Sequence, residues 1–411
     1  MLKNWIQTTL FISLSTIGGS GFALSTQDAG KIYYHLNFPV VLNEQTENII
    51  LGENFKDLIM SNVVAGAMYV HLVKAEFPNL QFDTSYMIGS LFGQLLQENL
   101  QTSDYQATSD WINPNNDIRN MLLMPGQGGP YQLNDYSKRL EDKIGMINFK
   151  VLQKSLGYSI QDQDSGTQTS KKGPDALDNK YFGPLAAAYF QFNDILRLQA
   201  INRDPWGPVA QYYESCMSNL KNTPNNFLDM IINATYNAGP WAEITKTYFE
   251  LCANYNNPSY AEKIKHINDY TLADQAYQQA IGTKESAGST FILYPRQIRF
   301  YLDELYNNPT ALKTTNALYF PMSQLRTVFA NAMATLAYVN NDGKYVFIST
   351  QEAGFAFDQA METLSLSSSQ QLNMSDQQER EKIVNLLASS IDDLEKTLNI
   401  RFGEVTEANF N

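Results

Sequence analysis

The sequence predicts a mainly α-helical protein with a C-terminal α+β region that contains a small β-hairpin. Apolar residues recur at helical spacing along most of the chain. Residues 336–348 instead fit two short strands around Asp342-Gly343, a pair typical of hairpin turns. With 411 residues, of which 44% are hydrophobic and 17% charged, the chain is expected to fold around a substantial core.

The first 25 residues are typical of a secretory signal peptide. Lys3 precedes an apolar stretch that starts at Trp5, and small residues follow, so cleavage is expected after Ala23 or Ser25. A buried N-terminal helix is the alternative interpretation. We expect no lipid anchor, because this region has no cysteine, and no further membrane-spanning run. The mature protein is therefore expected to be bacterial and periplasmic or secreted, with no membrane anchor.

Two domains are expected after the signal peptide, a helical one at 26–284 and a mostly helical region at 285–411 with the hairpin. The first domain is interrupted by a polar loop at 101–120 and by a polar insert at 161–180, which is long enough to be a functional loop. Helices are predicted within 28–75 and 85–99, from about 134, at 185–190, 208–221, 226–237 and 240–254, and at 375–398. Pro240 is expected to be the first residue of its helix.

The two cysteines, Cys216 and Cys252, are most simply explained as one disulfide in an oxidising compartment. A reactive thiol pair is the alternative, although the chain has no Cys-x-x-Cys motif.

The net charge of −13 and the pI near 4.8 argue against nucleic acid and anionic membranes as partners. A neutral or zwitterionic polysaccharide remains compatible with this charge. The 24 tyrosines, together with the tryptophans, asparagines and glutamines, would suit sugar faces and hydroxyls, although such residues also line ordinary cores and surfaces.

The helix predicted from Ser85 to Asn99 ends in a candidate catalytic residue, Glu98. At about 100° per residue, Glu98 falls on the same sector as the apolar Leu91 and Leu95. A carboxyl group held away from water keeps its proton near neutral pH, as a general acid must. The alternative is that Glu98 simply ends the helix and points to water.

The other residue types exclude most alternative chemistries. The only histidines, His35, His71 and His266, are each isolated on an apolar helical pattern and are expected to be packed core residues. No metal-binding, nucleophile, phosphate-loop or dinucleotide motif is present, so neither a metal site nor a cofactor is predicted. Carboxylate chemistry remains, and glycoside cleavage is the reaction that uses one or two carboxylates.

Three segments in order resemble the lysozyme-like lytic transglycosylases and their goose-type lysozyme relatives. In that family a helix ends in Glu-Ser, a Gly-x-x-Gln segment follows, and a later helix contains Ala-x-Asn-Ala-Gly. Here the corresponding segments are Glu98-Asn99, Gly129-Pro-Tyr131-Gln132-Leu133 and Ala234-Thr-Tyr236-Asn237-Ala-Gly239. The resemblance covers about 85–255 and implies a lysozyme-like helical domain with long inserts. A helix stop at Asn237 and Gly239 is a sufficient structural reason for the last motif.

The resemblance implies a role for each matching position. Glu98 would protonate the glycosidic oxygen and then take the proton from the attacking hydroxyl. Gln132, Tyr131 and the backbone near Gly129 would hold the sugar, while Tyr236 and Asn237 would orient the reacting ring or its acetamido group. A hydrolase would need a second carboxylate as base, for which the loop residues are candidates: Asp104, Asp110 and Asp117.

The sequence therefore predicts an exported enzyme that cleaves an N-acetylhexosamine polymer, in the first place a peptidoglycan lytic transglycosylase. A chitinase- or chitosanase-like hydrolase and a non-catalytic exported sugar-binding protein are the alternatives. The expected partner is a peptidoglycan or chitin-like polysaccharide.

Overall fold

A computed structural model describes residues 53–101, 131, 179–202, 209–220, 223, 227–239, 241–269, 272, 274–283, 294–296, 298–299, 302–303, 319–339 and 345–402. Helices make up 74% of this part of the chain, and small antiparallel strand pairs accompany them. The mainly α class with a small hairpin is confirmed.

The helices follow one another along the chain with short strands only in the last third. The α-helices are α1 (Glu53–Glu76), α2 (Thr84–Gln101), α3 (Phe182–Asn202), α4 (Ala210–Asn219), α5 (Phe227–Ala238), α6 (Glu243–Ala253), α7 (Ala261–Lys265), α8 (Asp274–Ile281), α9 (Met322–Met333), α10 (Thr350–Thr363) and α11 (Gln377–Leu398). The strands are β1 (Tyr319–Pro321), β2 (Ala337–Val339), β3 (Tyr345–Phe347) and β4 (Gln371–Asn373). A 3-10 turn at Pro258–Tyr260 precedes α7.

Helix α1 is the central element of the hydrophobic core, and it packs against α2, α3, α9 and α11. Residues 57–76 have a mean hydropathy of 1.4 and are long and apolar enough to cross a bilayer. This corrects the expectation that no run beyond the N-terminal segment is so apolar. The helix is nevertheless 83% buried inside the protein, as the core helix of a bundle would be.

Helix α2 lies directly against α1, at the position that the sequence predicts. Asp83 caps its start, since the Asp83 carboxylate accepts hydrogen bonds from the N–H groups of Ser85 (2.9 Å) and Tyr86 (3.4 Å). Gly66 of α1 permits the close approach, because a Cβ atom there would lie 2.4 Å from the carbonyl oxygen of Ile88. The apolar side of α2 is buried as expected: Met87, Ile88, Leu91 and Phe92.

Helices α4 and α6 are joined by the predicted disulfide, Cys216–Cys252, whose Cα atoms are 4.8 Å apart. Helix α6 begins at Glu243 rather than at Pro240, because Gly239 adopts a left-handed conformation (φ +88°) and the chain turns before the helix starts.

The C-terminal elements pack on the same core. Strands β2 and β3 form the predicted hairpin, and β1 pairs with β4, a pairing that the sequence does not predict. Helix α11, which the sequence predicts at 375–398, packs on α1, α2 and α10. It buries one stripe of apolar residues: Ile383, Leu386, Leu387, Ile391 and Leu394. The hydrophobic core thus crosses the domain boundary predicted near residue 285, and the division itself stays a prediction.

The two described histidines are not packed in apolar surroundings, which corrects the sequence expectation. The ring of His71 lies between Asp392 (Nδ1 to oxygen, 3.2 Å) and Glu395 (Nε2 to oxygen, 3.1 Å) of α11. His266 contacts Asp269 at 3.4 Å and Glu262 at 3.5 Å. Both side chains are half-buried and close to carboxylates, and His35 lies outside the described residues.

Candidate functional site

The predicted site residues divide into those that the structure describes and those that it does not. Tyr131, Tyr236 and Asn237 are described in full, and Glu98 is placed within α2. The side chain of Glu98 lies outside the described part of the chain. So do Gly129, Gln132, Asp104, Asp110 and Asp117.

Tyr131 and Tyr236 are brought together although 105 positions separate them. The Tyr236 hydroxyl donates a hydrogen bond of 2.8 Å to the backbone carbonyl of Tyr131. The Tyr131 side chain is 1% exposed and its hydroxyl donates to the Asn62 amide oxygen of α1. Burial raises the pKa of the Tyr131 hydroxyl, so this group stays a neutral donor. Tyr131 is thereby fixed to α1 through Asn62 and to α5 through Tyr236.

The Tyr236 ring is held by other aromatic rings. It packs edge-on against Phe190 of α3, with ring centroids 5.3 Å apart, and it stacks with Tyr294 at 5.9 Å. The amide oxygen of the next residue, Asn237, is buried and has no hydrogen-bond partner among the described residues. A buried acceptor of this kind normally has a donor, from water, a ligand or another part of the chain.

The turn after α5 matches the helix-stop interpretation of the Asn-Ala-Gly motif. Gly239 has a left-handed conformation, and its N–H donates to the carbonyl of Thr235 (2.8 Å), which ends the helix. The same turn leaves the Trp241 side chain 55% exposed, four positions from Asn237. Trp241 is not among the residues that the sequence motifs indicate, and an exposed indole is a surface on which a sugar ring can stack.

A polar network joins α2 to α5 inside the core. It consists of Ser90 and Gln94 on α2 and of Asp229 and Asn233 on α5, all of them at most 1% exposed. The Gln94 amide nitrogen donates to Asn233 Oδ1 (2.7 Å), and the Asn233 amide nitrogen donates to Asp229 Oδ1 (3.2 Å) and Ser90 Oγ (3.1 Å). Each pair within one helix is four residues apart, so each pair lies on one helix face.

Asp229 is the charged member of this network, and burial raises its pKa from 3.8 to about 6. Hydrogen bonds from Ser90 and Asn233 and the charge of Arg299 lower the pKa, and the charge of Asp303 raises it. Oxygen Oδ2 of Asp229 is buried with no partner in the described part of the chain. Near neutral pH the carboxyl group is therefore mostly ionised, and it titrates at mildly acidic pH.

Further buried polar groups lie on α1 and α3, the helices that pack against α2. Tyr69 of α1 is fully buried, and the pKa of its hydroxyl is raised by burial and then by the charges of Asp229 and Asp194. Gln191 of α3 is also fully buried, and neither atom of its amide has a partner among the described residues. These side chains make the interior between α1, α2, α3 and α5 unusually polar for a helical core.

This network is not predicted by the sequence interpretation above. A signal was available, because Ser90, Gln94 and Glu98 recur every four residues on α2, and Asp229, Asn233 and Asn237 do so on α5. Either series alone fits a solvated helix face. Only the packing of the two helices against each other shows that these faces are buried together.

The residues that could hold a metal lie elsewhere, where α1 meets α11. Ligand atoms of His71, Asp392 and Glu395 lie within 4.8 Å of one another. The two carboxylates face opposite ring nitrogens, however, and one imidazole gives a metal ion only one nitrogen. The arrangement fits an imidazole hydrogen-bonded on both sides better than a chelate.

Comparison of the chain with protein-family models, with curated proteins and with solved structures finds no match.

Proposed function

We propose that this protein is an exported enzyme that cleaves an N-acetylhexosamine polymer, with peptidoglycan as substrate, by lytic transglycosylase chemistry. Glu98 would be the single catalytic acid and base. The disulfide between Cys216 and Cys252 agrees with an oxidising compartment outside the cytoplasm.

The observation that supports this function best is the register of α2 against α5. Ser90 contacts Asn233, and Gln94, one turn further along α2, also contacts Asn233. Ser90 also hydrogen-bonds Asp229, which lies one turn earlier on α5. A step of one turn toward the C-terminus of α2 therefore corresponds to a step of one turn toward the C-terminus of α5. One further turn leads to position 98 on α2 and to Asn237 on α5, so a catalytic Glu98 would stand beside the Asn-Ala-Gly motif.

The contact between Tyr236 and Tyr131 supports the same assignment. It joins the Asn-Ala-Gly helix to Tyr131 of the Gly-Pro-Tyr-Gln motif, as a sugar-binding cleft formed by the three motifs requires. The buried, unpartnered oxygen of Asn237 could accept a hydrogen bond from a substrate acetamido N–H.

The chemistry follows from one carboxyl group. Glu98 gives its proton to the glycosidic oxygen as the bond from that oxygen to C1 breaks. The resulting carboxylate then takes a proton from the 6-hydroxyl of the same sugar, whose oxygen attacks C1. A 1,6-anhydro end forms, the carboxyl group is regenerated, and no water is consumed.

Zymography of the mature protein against purified cell wall and against chitin tests the proposal. We expect clearing of the cell wall by the wild type and its loss in Glu98→Gln, by about 100-fold or more, because the amide cannot donate a proton to the leaving oxygen. Glu76→Gln is the matched control: Glu76 also lies in the last turn of a helix, is exposed, and should be dispensable. Mass spectrometry of the products should show anhydro ends.

Other outcomes would replace the proposal. Clearing that survives Glu98→Gln would remove Glu98 from the mechanism. Hydrolytic products without anhydro ends, or preference for chitin, would favour the hydrolase, with Asp104, Asp110 or Asp117 as base. Sedimentation with cell wall but no clearing by either form would favour a sugar-binding protein.

A further inference from the structure

We propose that a groove between α9 and α10 is a second glycan-binding site, which holds a neutral N-acetylhexosamine unit of the polymer outside the proposed cleft. The groove has a volume of about 600 Å³, within the range of sites that bind small ligands. Its lining includes Arg326, Thr327 and Asn331 of α9 and Gln351, Phe355 and Asp358 of α10. The inference rests on the proposed function for the kind of sugar, and none of these residues belongs to the three motifs.

The two helices that form the groove are held together by a buried aromatic contact. Phe329 of α9 and Phe357 of α10 are fully buried, and their ring centroids lie 5.6 Å apart. Gln351, Phe355 and Asp358 follow one another at spacings of four and three residues, so they lie on one face of α10. A site on two packed helices keeps its side chains in place better than a site on a loop.

Phe355 supplies an aromatic face to the groove. It is 55% exposed, and among the described residues only Trp241 and Leu364 are also large, apolar and exposed. One exposed apolar side chain needs no explanation by itself, but Phe355 lies in a groove whose lining is otherwise mostly polar. A ring with polar groups around it is suited to a sugar, which has an apolar C–H face and an edge of hydroxyl groups.

The charges in the groove balance each other. The Arg326 guanidinium donates two hydrogen bonds to Asp358, from Nε to Oδ1 and from Nη2 to Oδ2, each at 2.6 Å. An ionic ligand would have to compete with this pair, and the rest of the lining carries no charge. A hydroxyl group can instead donate to the carboxylate and accept from the guanidinium without separating them. The pair therefore favours a neutral, hydroxyl-bearing ligand.

The remaining polar groups of the lining are available to a ligand. Within the described part of the chain, the side-chain amides of Asn331 and Gln351 have no hydrogen-bond partner, nor do the other N–H groups of Arg326. Each amide has an N–H donor and a C=O acceptor, as the acetamido group of an N-acetylhexosamine also has. An amide of the lining can pair with an acetamido group through either atom, which favours an acetylated sugar over a plain one.

Gly354 allows the Arg326 guanidinium to lie against the backbone of α10. A Cβ atom at position 354 would lie 2.8 Å from Nη2 and 3.0 Å from Cζ of Arg326. Alanine there would therefore move the guanidinium and change the position of its N–H groups. The glycine thus offers a way to change the groove without removing any of its polar groups.

The indole introduced by Phe355→Trp gives a direct measurement of binding in the groove. The variant keeps an aromatic face, and its fluorescence responds to a ligand that lies on it. The probe is tri-N-acetylchitotriose, a soluble trimer of N-acetylglucosamine, and the titration uses the Glu98→Gln background so that the probe is not cleaved. We expect a saturable fluorescence change beyond that of Glu98→Gln alone, with an affinity that added salt hardly alters.

Two further variants in the same background show which groups bind the sugar. Phe355→Ala should lower the retention of the protein on purified cell wall by about 5-fold or more. Gly354→Ala, combined with Phe355→Trp, should weaken the binding of tri-N-acetylchitotriose by about 3-fold or more. Leu364→Ala is the matched control, since it removes an exposed apolar side chain at the end of α10 and outside the groove, and it should leave retention unchanged.

The absence of a fluorescence response in Phe355→Trp, or unchanged retention of Phe355→Ala on cell wall, would overturn the inference. A steep loss of affinity with salt, or a saturable response to inorganic phosphate in place of the sugar, would also overturn it, because either result would mean an anion site around Arg326.

These measurements do not depend on cleavage, so they separate this inference from the proposed function. Binding in the groove by a protein that does not clear cell wall would support the inference and overturn the proposed enzymatic function only. Clearing of cell wall by a protein that does not bind the probe in the groove would overturn the inference only.

Discussion

Asp229 combines two properties that rarely occur together, full burial and a negative charge near neutral pH. Removing a carboxylate from water is costly, and here that cost exceeds the favourable effects of Ser90, Arg299 and Asn233, since the pKa is raised to about 6. A buried charge that weakens the fold suggests a role other than stability. Gln191 of α3 and Asn237 of α5 also have buried polar atoms with no partner among the described residues.

The raised pKa of Asp229 predicts a pH dependence of stability with a definite sign. The folded state binds the Asp229 proton more tightly than the unfolded state. The stability that the protonated Asp229 side chain contributes is therefore fully present below pH 3.8, and it is lost as the pH rises through about 6. Asp229→Asn removes this loss. The variant should match the wild type near pH 4 and exceed its free energy of unfolding at pH 7 by up to about 3 kcal/mol.

Urea unfolding of both proteins at a series of pH values measures this difference. Glu381→Gln, an exposed change on α11, is the control and should follow the wild type. A wild-type protein as stable as Asp229→Asn at pH 7 would contradict the raised pKa.

At the scale of elements, the position of α2 depends on its close approach to α1 at Gly66. Since a Cβ atom there would lie 2.4 Å from the Ile88 carbonyl oxygen and 2.7 Å from the Ile88 Cα, backbone would have to move. Gly354 of α10 provides a contrast, because a Cβ atom there would meet the Arg326 guanidinium, the mobile end of a long side chain. The same substitution should therefore have different effects at the two glycines.

We expect Gly66→Ala to lower the free energy of unfolding by about 2 kcal/mol or more, despite the better helix propensity of alanine. Gly354→Ala should change it by less than about 1 kcal/mol, since Arg326 can move and its partly exposed pair with Asp358 contributes little. Thermal unfolding monitored by circular dichroism measures the stability of both variants. Equally small changes in the free energy of unfolding for the two variants would show that α2 can move away from α1 at little cost.

Elements specified by local pattern could be predicted, and elements specified by distant contacts could not. The stripe of α11 and the hairpin of β2 and β3 follow from nearby residues, and the structure confirms both. Strands β1 and β4 are three residues each and come from distant parts of the chain, so no local pattern indicates their pairing. The contact of Tyr131 with Tyr236 and the burial of Asp229 depend on packing in the same way.

At the scale of the whole molecule, helix α1 links the two parts of the chain that the sequence treats as separate domains. It packs against α2 and α3 on the N-terminal side and against α9 and α11 on the C-terminal side. His71 of α1 adds a polar contact to the same interface, through Asp392 and Glu395. Burial tends to raise the pKa of Glu395, but the pKa is lowered on balance. Hydrogen bonds from His71 and the Phe402 N–H and the charges of His71 and Arg401 are the cause.

A fragment of residues 26–284 should consequently fail to fold on its own. It would expose the surface of α1 that α9 and α11 cover in the full chain. We expect it to aggregate, or to bind a hydrophobic dye and melt without a cooperative transition, where the full chain melts cooperatively. Cooperative unfolding of the fragment would instead establish the boundary near 285 as that of an independent domain.

The contacts between α11 and α1 also set the order of events during biosynthesis. Residues 53–76 emerge from the ribosome some 300 residues before α11, the helix that covers them. Likewise, the Tyr189 hydroxyl can form its hydrogen bond to the Phe402 carbonyl (3.1 Å) only after residue 402 has been synthesised. The core therefore cannot close until nearly all of the described chain has been synthesised. If the chain is exported unfolded through a membrane channel, as the proposed function requires, this late closure of the core would keep the nascent chain competent for translocation.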